Sequence, residues 1–386
     1  MKLYDLKTKF LFISLLIFIL PLLVISQDKK ENEKKKSAYE FTIDYEVERT
    51  PVKDQHWTGT CWCFATISFL ESEILRQGGD IVDLSEMYIV RHTYPKKAVN
   101  YIRLHGDARF GQGGLSHDII NQIDEFGIVP EKMYDGKRIG EDKHNHGEMV
   151  AALNGFLKGI LQRRGRTLTP RWSEAFEAIL NVYLGTPPEE FIYEDKKYTP
   201  RSFAESFDLE LDDYIELSSF IHHPFYKQFR LEIPDNWSYN ANFYNVPLDV
   251  LEEVIDHALK NGYSVAWDGD VSDPYFSTRE KGYAIVPKEE DQKNINEPVE
   301  EKNITQKYRQ ESFNDFSTTD DHLMHIVGIA HDQNGTKFYL TKNSGGTDRA
   351  NDGYVYMSRS YVRLRTTGIM VNKHSLPGKV RSKLGL

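Results

Sequence analysis

The two cysteines of the chain, Cys61 and Cys63, are separated by one residue at the start of an apolar stripe with helical spacing. A disulfide needs a particular separation and orientation of its Cβ atoms, which positions this close are poorly placed to provide. A helix N-terminus lowers the pKa of a cysteine placed there, and the thiolate is a nucleophile. Residues 61 and 63 project from a helix about 200° apart. The pair therefore predicts one reactive thiol facing a cleft, Cys61, and one buried thiol, Cys63.

The segments that would position these thiols change character along the chain. Helical stripes come first, including the stripe that starts at Cys61 and one at 247–262 that Gly262 ends. Short runs rich in β-branched and aromatic residues follow, among them "YSVAW", "HLMHIVGIAH", "KFYLTKN" and "GYVYMS". Helices followed by antiparallel strands predict an α+β fold with two lobes and a cleft between them.

The N-terminal residues have the composition of a targeting segment. Lysines precede an uncharged apolar run, and Val24 and Ser26 provide a processing site, so residues 1–26 are predicted to be a signal peptide. The alternative is an uncleaved membrane anchor, for which the run is short. Residues 27–40 are interpreted as a charged tether and 41–386 as the folded domain. The chain is expected to be exported, periplasmic or secreted, without membrane association after cleavage.

Composition limits the partners. The 386 residues carry a net charge of −10, which argues against nucleic acid. One acidic stretch, "DGDVSD" at 268–273, begins like a calcium loop but has Asp273 where the sixth position needs glycine. No metal or cofactor is expected.

The stretch "PVKDQHWTGTCW" resembles the active-site signature of papain-like cysteine peptidases, in which a glutamine and a short turn precede Cys-Trp. The resemblance implies that Cys61 is the nucleophile, that Gln55 donates to the oxyanion, and that Cys63 is a buried bystander. It also implies a papain-like two-lobed fold, with a helical lobe and an antiparallel, barrel-like β lobe.

A cysteine peptidase also needs a histidine that holds the thiolate as an ion pair and later protonates the leaving amine, and an Asn or Asp that fixes the tautomer of this imidazole. His322 in "HLMHIVG" and Asn343 in "KNSGG" match the family's histidine and asparagine strands. His325 is the alternative candidate for the catalytic histidine. Successive side chains of a strand lie on alternate faces, so residues 322 and 325 lie on opposite faces, and the spacing to the following glycine favours His322. The family usually has Trp after "NS". Here Gly345 predicts a wetter His–Asn pair unless another aromatic covers it.

The spacing between these motifs points to one branch of the family. Papain-type His and Asn residues follow the cysteine by about 130–150 residues, and here they lie much farther along. A mostly helical insertion at about 135–246 and a mobile polar loop at about 287–312 are predicted to account for the difference. This enlargement, together with "TGTCW", "LSEMYIVRH" and "YIRLHGDARFGQGGLSHD", resembles the bleomycin hydrolase (aminopeptidase C) branch.

That branch implies an aminopeptidase acting on peptide substrates and a possible homo-oligomer. In it, the terminal carboxylate lies in the cleft and binds the substrate's free amine. Here the last residues, "HSLPGKVRSKLGL", are interpreted equally well as an exposed tail. Two further functions stay open: a papain-like endopeptidase, and a catalytically impaired homologue that acts as a peptide-binding protein.

The segment "GQGG" at 111–114 resembles the family's glycine segment, whose backbone pairs with extended substrate. The resemblance implies substrate contacts at Gly113, Gly114 and Leu115, and the alternative is a plain turn. Val265 and Leu323 are candidates for the wall of a substrate pocket.

Overall fold

The computed structural model describes residues 38–386, except 141 and 166. The predicted signal peptide (1–26) and most of the predicted tether (27–40) lie outside these residues. Within the described part of the chain, no helix is long and apolar enough to cross a bilayer.

The two helices whose positions were predicted, α1 and α7, begin at Cys61 and Leu248. The described helices are, in chain order, α1 Cys61–Arg76, α2 Glu86–Arg103, α3 Ser116–Phe126, α4 Gly147–Leu161, α5 Arg171–Leu184, α6 Pro200–Ala204, α7 Leu248–Lys260, α8 Gln306–Asn314, α9 Arg359–Arg365 and α10 Gly378–Leu384. At the start of α2 the Ser85 hydroxyl accepts from the Tyr88 backbone N–H at 3.0 Å, which satisfies one donor of the first turn. After α7 the chain turns at Gly262, whose φ of 78° is accessible to glycine at little cost.

The strands are mostly short. In chain order the described strands are β1 Phe41–Glu46, β2 Phe191–Tyr193, β3 Lys196–Tyr198, β4 Tyr214–Ser218, β5 Lys227–Phe229, β6 Phe243–Asn245, β7 Val265–Gly269, β8 Phe276–Ser277, β9 Tyr283–Ala284, β10 His322–Asp332, β11 Lys337–Lys342, β12 Tyr354–Ser358 and β13 Thr366–Asn372.

One large sheet holds all of these strands except the β2–β3 hairpin. Its order is β5-β6-β4-β13-β7-β10-β11-β12-β9-β8, and β1 also pairs with β10. Neighbours are antiparallel except for the parallel pairs β12–β9 and β4–β6. β7 pairs with the first half of β10, from His322 to Ile326, and β1 pairs with its second half. His322 therefore lies at the end of a strand in the middle of the sheet.

Two hydrophobic cores lie on either side of this strand. The helical-lobe core includes Trp62, Cys63, Phe69, Leu115 and Leu323, together with apolar side chains of α2 to α6. The β-lobe core includes Val265, Trp267, Met324, Ile326 and Val355, together with the apolar face of α7. Helix α1 packs against β10 and β7, so its first residue lies where the lobes meet.

The predicted helical insertion at 135–246 is helical in its first part. It contains α4, α5 and α6, but also β2 to β6, and β4, β5 and β6 extend the main sheet at one edge. Strands of three residues are too short to show a period in the sequence, which is why the pattern predicted helices alone.

The segment at 287–312, predicted to be a mobile polar loop, includes the start of α8 and makes contacts with distant segments. Glu301 is held because its carboxylate accepts from the Val286 backbone N–H and from the Ser358 hydroxyl. Arg309 is 1% exposed and donates to the carbonyl oxygens of Ser219 and Arg363. The polar composition of this segment does not indicate these contacts, because charged groups this deeply buried are uncommon and need partners from distant segments.

The last residues form neither an exposed tail nor an arm beside Cys61. Helix α10 buries Val380 in the β-lobe core, and Leu386 packs against the same core. The Lys383 ammonium lies 3.3 Å from the Tyr226 hydroxyl near the edge strand β5.

Candidate active site

Cys61 is the first residue of α1 and is 8% exposed. Its sulfur accepts a hydrogen bond from the backbone N–H of Leu323, the second residue of β10. This bond places the thiol beside the strand end that carries His322. Cys63 is fully buried and donates from its thiol to the Glu86 carbonyl oxygen at 3.3 Å. The structure thus separates the two thiols in the way their helical spacing predicts.

The charge state of Cys61 differs from what a helix N-terminus alone would give. Burial raises the pKa of the thiol to about 12, and the carboxyls of Asp235, Asp268 and Asp320 raise it further. The Leu323 hydrogen bond acts in the opposite direction but is the weaker effect. Desolvation disfavours the thiolate more strongly than the helix end favours it. Burial therefore favours the neutral form of the thiol.

His322 is the first residue of β10, and Asn343 directly follows the adjacent strand β11. Nε2 of His322 lies 2.8 Å from Oδ1 of Asn343. Because an amide oxygen only accepts, Nε2 carries the proton and Nδ1 keeps a free lone pair. Burial lowers the pKa of the His322 imidazole, while the bond to Asn343 opposes this shift. A neutral imidazole of this tautomer can accept a proton at Nδ1.

His325, the alternative candidate for the catalytic histidine, lies inside the protein. His325 is fully buried, and its Nδ1 lies 2.9 Å from the Ser68 hydroxyl of α1. Burial lowers the pKa of His325 well below its usual range, and Lys342 and Arg49 act in the same direction. His325 therefore stays neutral within the core.

Gln55 is clamped between the loop that precedes α1 and the loop that follows β11. Its backbone N–H donates to the Ser344 carbonyl at 2.9 Å, and the Ser344 hydroxyl donates to its side-chain oxygen at 2.5 Å. The amide nitrogen Nε2 donates to the Thr58 carbonyl at 2.7 Å. A carboxamide has two N–H groups, so one remains to donate to an oxyanion.

Arg349 takes the space beside Gly345, where the family usually has tryptophan. Its Nε donates to the Gly345 carbonyl at 2.5 Å, and a Cβ on Gly345 would lie 2.6 Å from the same nitrogen. Asn343 and Ser344 are 9% and 7% exposed. The asparagine that orients His322 is therefore largely shielded from water, although Gly345 stands where the family usually has tryptophan.

The five predicted substrate-binding residues fall into two groups. Gly114 lies under the Trp62 ring, since a Cβ there would lie 3.0 Å from it, and Gly113 lies on the same loop. Leu323 carries the N–H that bonds Cys61. Leu115 and Val265, by contrast, are buried in the helical-lobe core and the β-lobe core, respectively. Gly113 and Gly114 thus lie on the loop beside Trp62 and the Leu323 backbone lies beside Cys61, whereas the side chains of Leu115, Val265 and Leu323 itself are buried in the cores.

On β7 the residue that shares a core with Leu323 is Ala266, next to Val265. Successive side chains of a strand point to opposite faces, so Ala266 and Val265 face different lobes. The sequence pattern predicts that side chains alternate between the two faces of β7. It does not show which face lies towards the cleft, and so it could not distinguish Val265 from Ala266.

Family models match most of the chain. The model described as "Peptidase C1-like family" matches residues 102–385, and the one described as "Papain family cysteine protease" matches residues 41–157. The chain belongs to the Peptidase C1-like family. It is a cysteine-type peptidase, and the resemblance to the aminopeptidase C branch is confirmed.

Relatives of this peptidase are similar over nearly their whole length. Aminopeptidase G of Lactobacillus delbrueckii subsp. lactis is 23% identical over 395 residues, covering 89% of this chain and 86% of the relative. "Cysteine proteinase 1, mitochondrial" of Saccharomyces cerevisiae is 23% identical over 391 residues, covering 89% and 79%. The crystal structure of PepW from Lactobacillus rhamnosis HN001 superposes with a TM-score of 0.70 at 19% identity, covering 89% and 84%. The papain-like fold is thereby confirmed.

Sequence reasoning missed three carboxyls that act on the thiol of this peptidase: Asp235, Asp268 and Asp320. Asp268 is the first residue of the stretch "DGDVSD", which does not match a calcium-binding loop. Asp320 lies two residues before His322. The closeness of Asp320 to His322 in the sequence could have indicated that its carboxyl lies near the active site. Asp235 belongs to the insertion, and nothing local indicates that it reaches the cleft.

Alanine in place of Gln55 is expected to lower kcat by about 100- to 1,000-fold with little change in KM, because an oxyanion donor acts mainly in the transition state. Steady-state kinetics on a peptide amide would measure this. Ser344→Ala is the matched control, since it removes the hydroxyl that holds the Gln55 oxygen but keeps the donor. Equal losses in both variants, or a loss confined to KM, would contradict the assignment.

Proposed function

We propose that this peptidase is an exported aminopeptidase that cleaves peptide bonds with Cys61, His322 and Asn343, and with Gln55 as a donor to the oxyanion. The observation that carries the mechanism is the 2.8 Å bond between His322 Nε2 and Asn343 Oδ1, which leaves Nδ1 as the proton acceptor. The relatives named aminopeptidases support the exopeptidase assignment.

The reaction starts from a neutral thiol and a neutral imidazole. The Cys61 proton moves to His322 Nδ1 as the sulfur attacks the substrate carbonyl carbon. The resulting oxyanion accepts from Gln55 Nε2 and from the Cys61 backbone N–H, which has no intrahelical acceptor in the first turn. The imidazolium then gives its proton to the leaving amine, the C–N bond breaks, and a thioester remains. Water attacks the thioester with His322 as base, which releases the acid and restores the thiol.

Asn343 positions the imidazole through all of these steps. While Nε2 donates to the amide oxygen, the ring cannot turn Nε2 towards the thiol, and the bond also favours the imidazolium. Export is supported by the composition of residues 1–26. Sequencing the N-terminus of the chain recovered outside the cytoplasm tests it, and an unprocessed chain retained in the cytoplasm would contradict it.

The activity itself is tested with paired fluorogenic substrates in reducing buffer. One is alanyl-7-amido-4-methylcoumarin with a free α-amine, and the other is its N-acetylated form. Cleavage of the free-amine compound alone is the expected result. Cleavage of the acetylated form at a similar or higher rate would indicate an endopeptidase. No cleavage of either compound, with Cys61 still alkylated by iodoacetamide, would indicate a peptide-binding protein.

A further inference from the structure

Three carboxyl groups from separate parts of the chain meet beside the nucleophile. We call Asp235, Asp268 and Asp320 the carboxyl cluster. Asp268 is on β7, directly across from Leu323 of β10, and Asp320 lies two residues before His322. Asp235 comes from the insertion, and its carboxyl lies 3.3 Å from the Arg109 guanidinium. The mechanism described above uses none of the three.

Asp268 is buried and Asp320 is half-buried, and neither forms a salt bridge with a described residue. Asp268 is 5% exposed, and its Oδ2 accepts from the Thr367 hydroxyl at 2.6 Å. Its Oδ1 and both oxygens of Asp320 have no side-chain donor among the described residues. The carboxyls of Asp268 and Asp320 instead face each other within hydrogen-bonding distance. Two carboxylates this close cannot both ionise, so the pair must share a proton or take up a cation.

The cations nearby do not neutralise this pair. Arg109 is 55% exposed at the outer edge of the cluster, where it meets Asp235. Lys97 is 3% exposed, and its ammonium donates to the carbonyl oxygens of Gly111 and Gly113. Lys97 therefore holds the glycine loop in place, and the inner pair of carboxyls is left to a ligand.

The third member closes one end of the cleft. A Cβ on Gly113 would lie only 1.9 Å from Oδ2 of Asp235, so this carboxyl rests directly on the glycine loop. A substrate strand lying along that loop would meet Asp235. A chain that continued beyond the residue next to the cleaved bond would collide with it, whereas a chain that ends there would not.

The segment that carries Asp235 is firmly attached to the helical lobe. The Trp237 indole N–H donates to the Asp118 carboxylate at 2.8 Å. Nε2 of His117 lies 3.1 Å from the Ser238 hydroxyl, while its Nδ1 lies 2.8 Å from the Glu216 carboxylate. These contacts hold the segment that carries Asp235 against the helical lobe, with Asp235 over Gly113.

We propose that the carboxyl cluster is a subsite that binds the α-ammonium group of the substrate's first residue, with Asp235 as the wall that excludes longer chains. This assignment rests on the proposed function, because it takes Cys61 as the nucleophile. An ammonium group offers three N–H donors and a full positive charge, which match the acceptor oxygens of Asp268 and Asp320 and the negative charge that their shared proton leaves uncompensated. On binding it displaces the shared proton.

Isosteric variants test this subsite. Asp268→Asn and Asp320→Asn are expected to raise KM for alanyl-7-amido-4-methylcoumarin by about 10- to 100-fold, the range for a lost hydrogen bond to a charged group. Asp235→Ala is expected to increase cleavage of the N-acetylated form. Asp80→Asn, an exposed carboxyl on the loop after α1, is the matched control and should change neither rate. Melting temperatures and the rate of Cys61 alkylation verify that each variant is folded with its thiol accessible.

The outcomes separate this inference from the proposed function. Failure of the unsubstituted chain to cleave any substrate would contradict the proposed function itself. An active chain whose Asp268 and Asp320 variants handle free-amine and acetylated substrates alike would contradict the subsite alone. An acetyl-arginyl-alanyl substrate distinguishes the source of the cation. If the native chain cleaves it and the variants lose that activity, the cluster binds a basic side chain and the α-ammonium assignment is wrong.

Discussion

Alanine in place of Cys61 is expected to lower kcat/KM at least about 10,000-fold, because removal of a nucleophile leaves only the catalysis due to binding and to oxyanion stabilisation. The fold should persist, since alanine is only slightly smaller than cysteine and is compatible with the start of helix α1. Assays on the free-amine coumarin substrate, together with a thermal melt, measure both properties.

Cys63→Ala is the matched control for Cys61. The second thiol is fully buried and bonded to the Glu86 carbonyl, so its loss should cost about 1 kcal/mol of stability. Its kcat/KM should stay close to the native value once the variant is folded. If Cys63→Ala abolished activity and Cys61→Ala did not, the nucleophile would be misassigned.

Alanine in place of His322 is expected to lower kcat/KM by about 10,000-fold, comparable to the loss of other members of such catalytic groups. Without the imidazole the neutral Cys61 thiol has no base, and the pKa that burial raises keeps it protonated at neutral pH. The melting temperature should change little, because His322 lies at a strand end and contributes one side-chain bond, to Asn343.

His325→Ala separates catalysis from stability in the same strand. It leaves a cavity in the core and removes the bond to Ser68, so we expect a lower melting temperature with kcat/KM retained below the transition. The assignment would not survive a result in which His325→Ala lost activity at unchanged stability while His322→Ala stayed active.

The reacting residues could be predicted because each lies in a short local pattern. Cys61 follows a turn and starts an apolar stripe, and His322 and Asn343 lie at corresponding ends of two recognisable strands. These features depend on neighbours in sequence. Helix α1 and the α+β order could also be predicted, because they too depend on patterns between neighbours in the sequence.

What could not be predicted depends on contacts between distant segments. Three-residue strands such as β5 and β6 form because a sheet edge is available to them, and the sequence does not show that edge. The burial of Arg309 depends on two carbonyl oxygens that only the fold brings together. The contact between Asp235 and Gly113 likewise links the insertion to the glycine loop.

The proposed wall that Asp235 forms over Gly113 also limits cleavage of one copy of the enzyme by another. A loop on the surface of a folded protein enters a cleft as a continuous chain, without an ammonium group at its leading end. Such a loop, including any loop of a second copy of this enzyme, would meet the Asp235 carboxyl before reaching Cys61. The proposed subsite therefore predicts that the peptidase does not cleave the surface loops of other folded copies of itself.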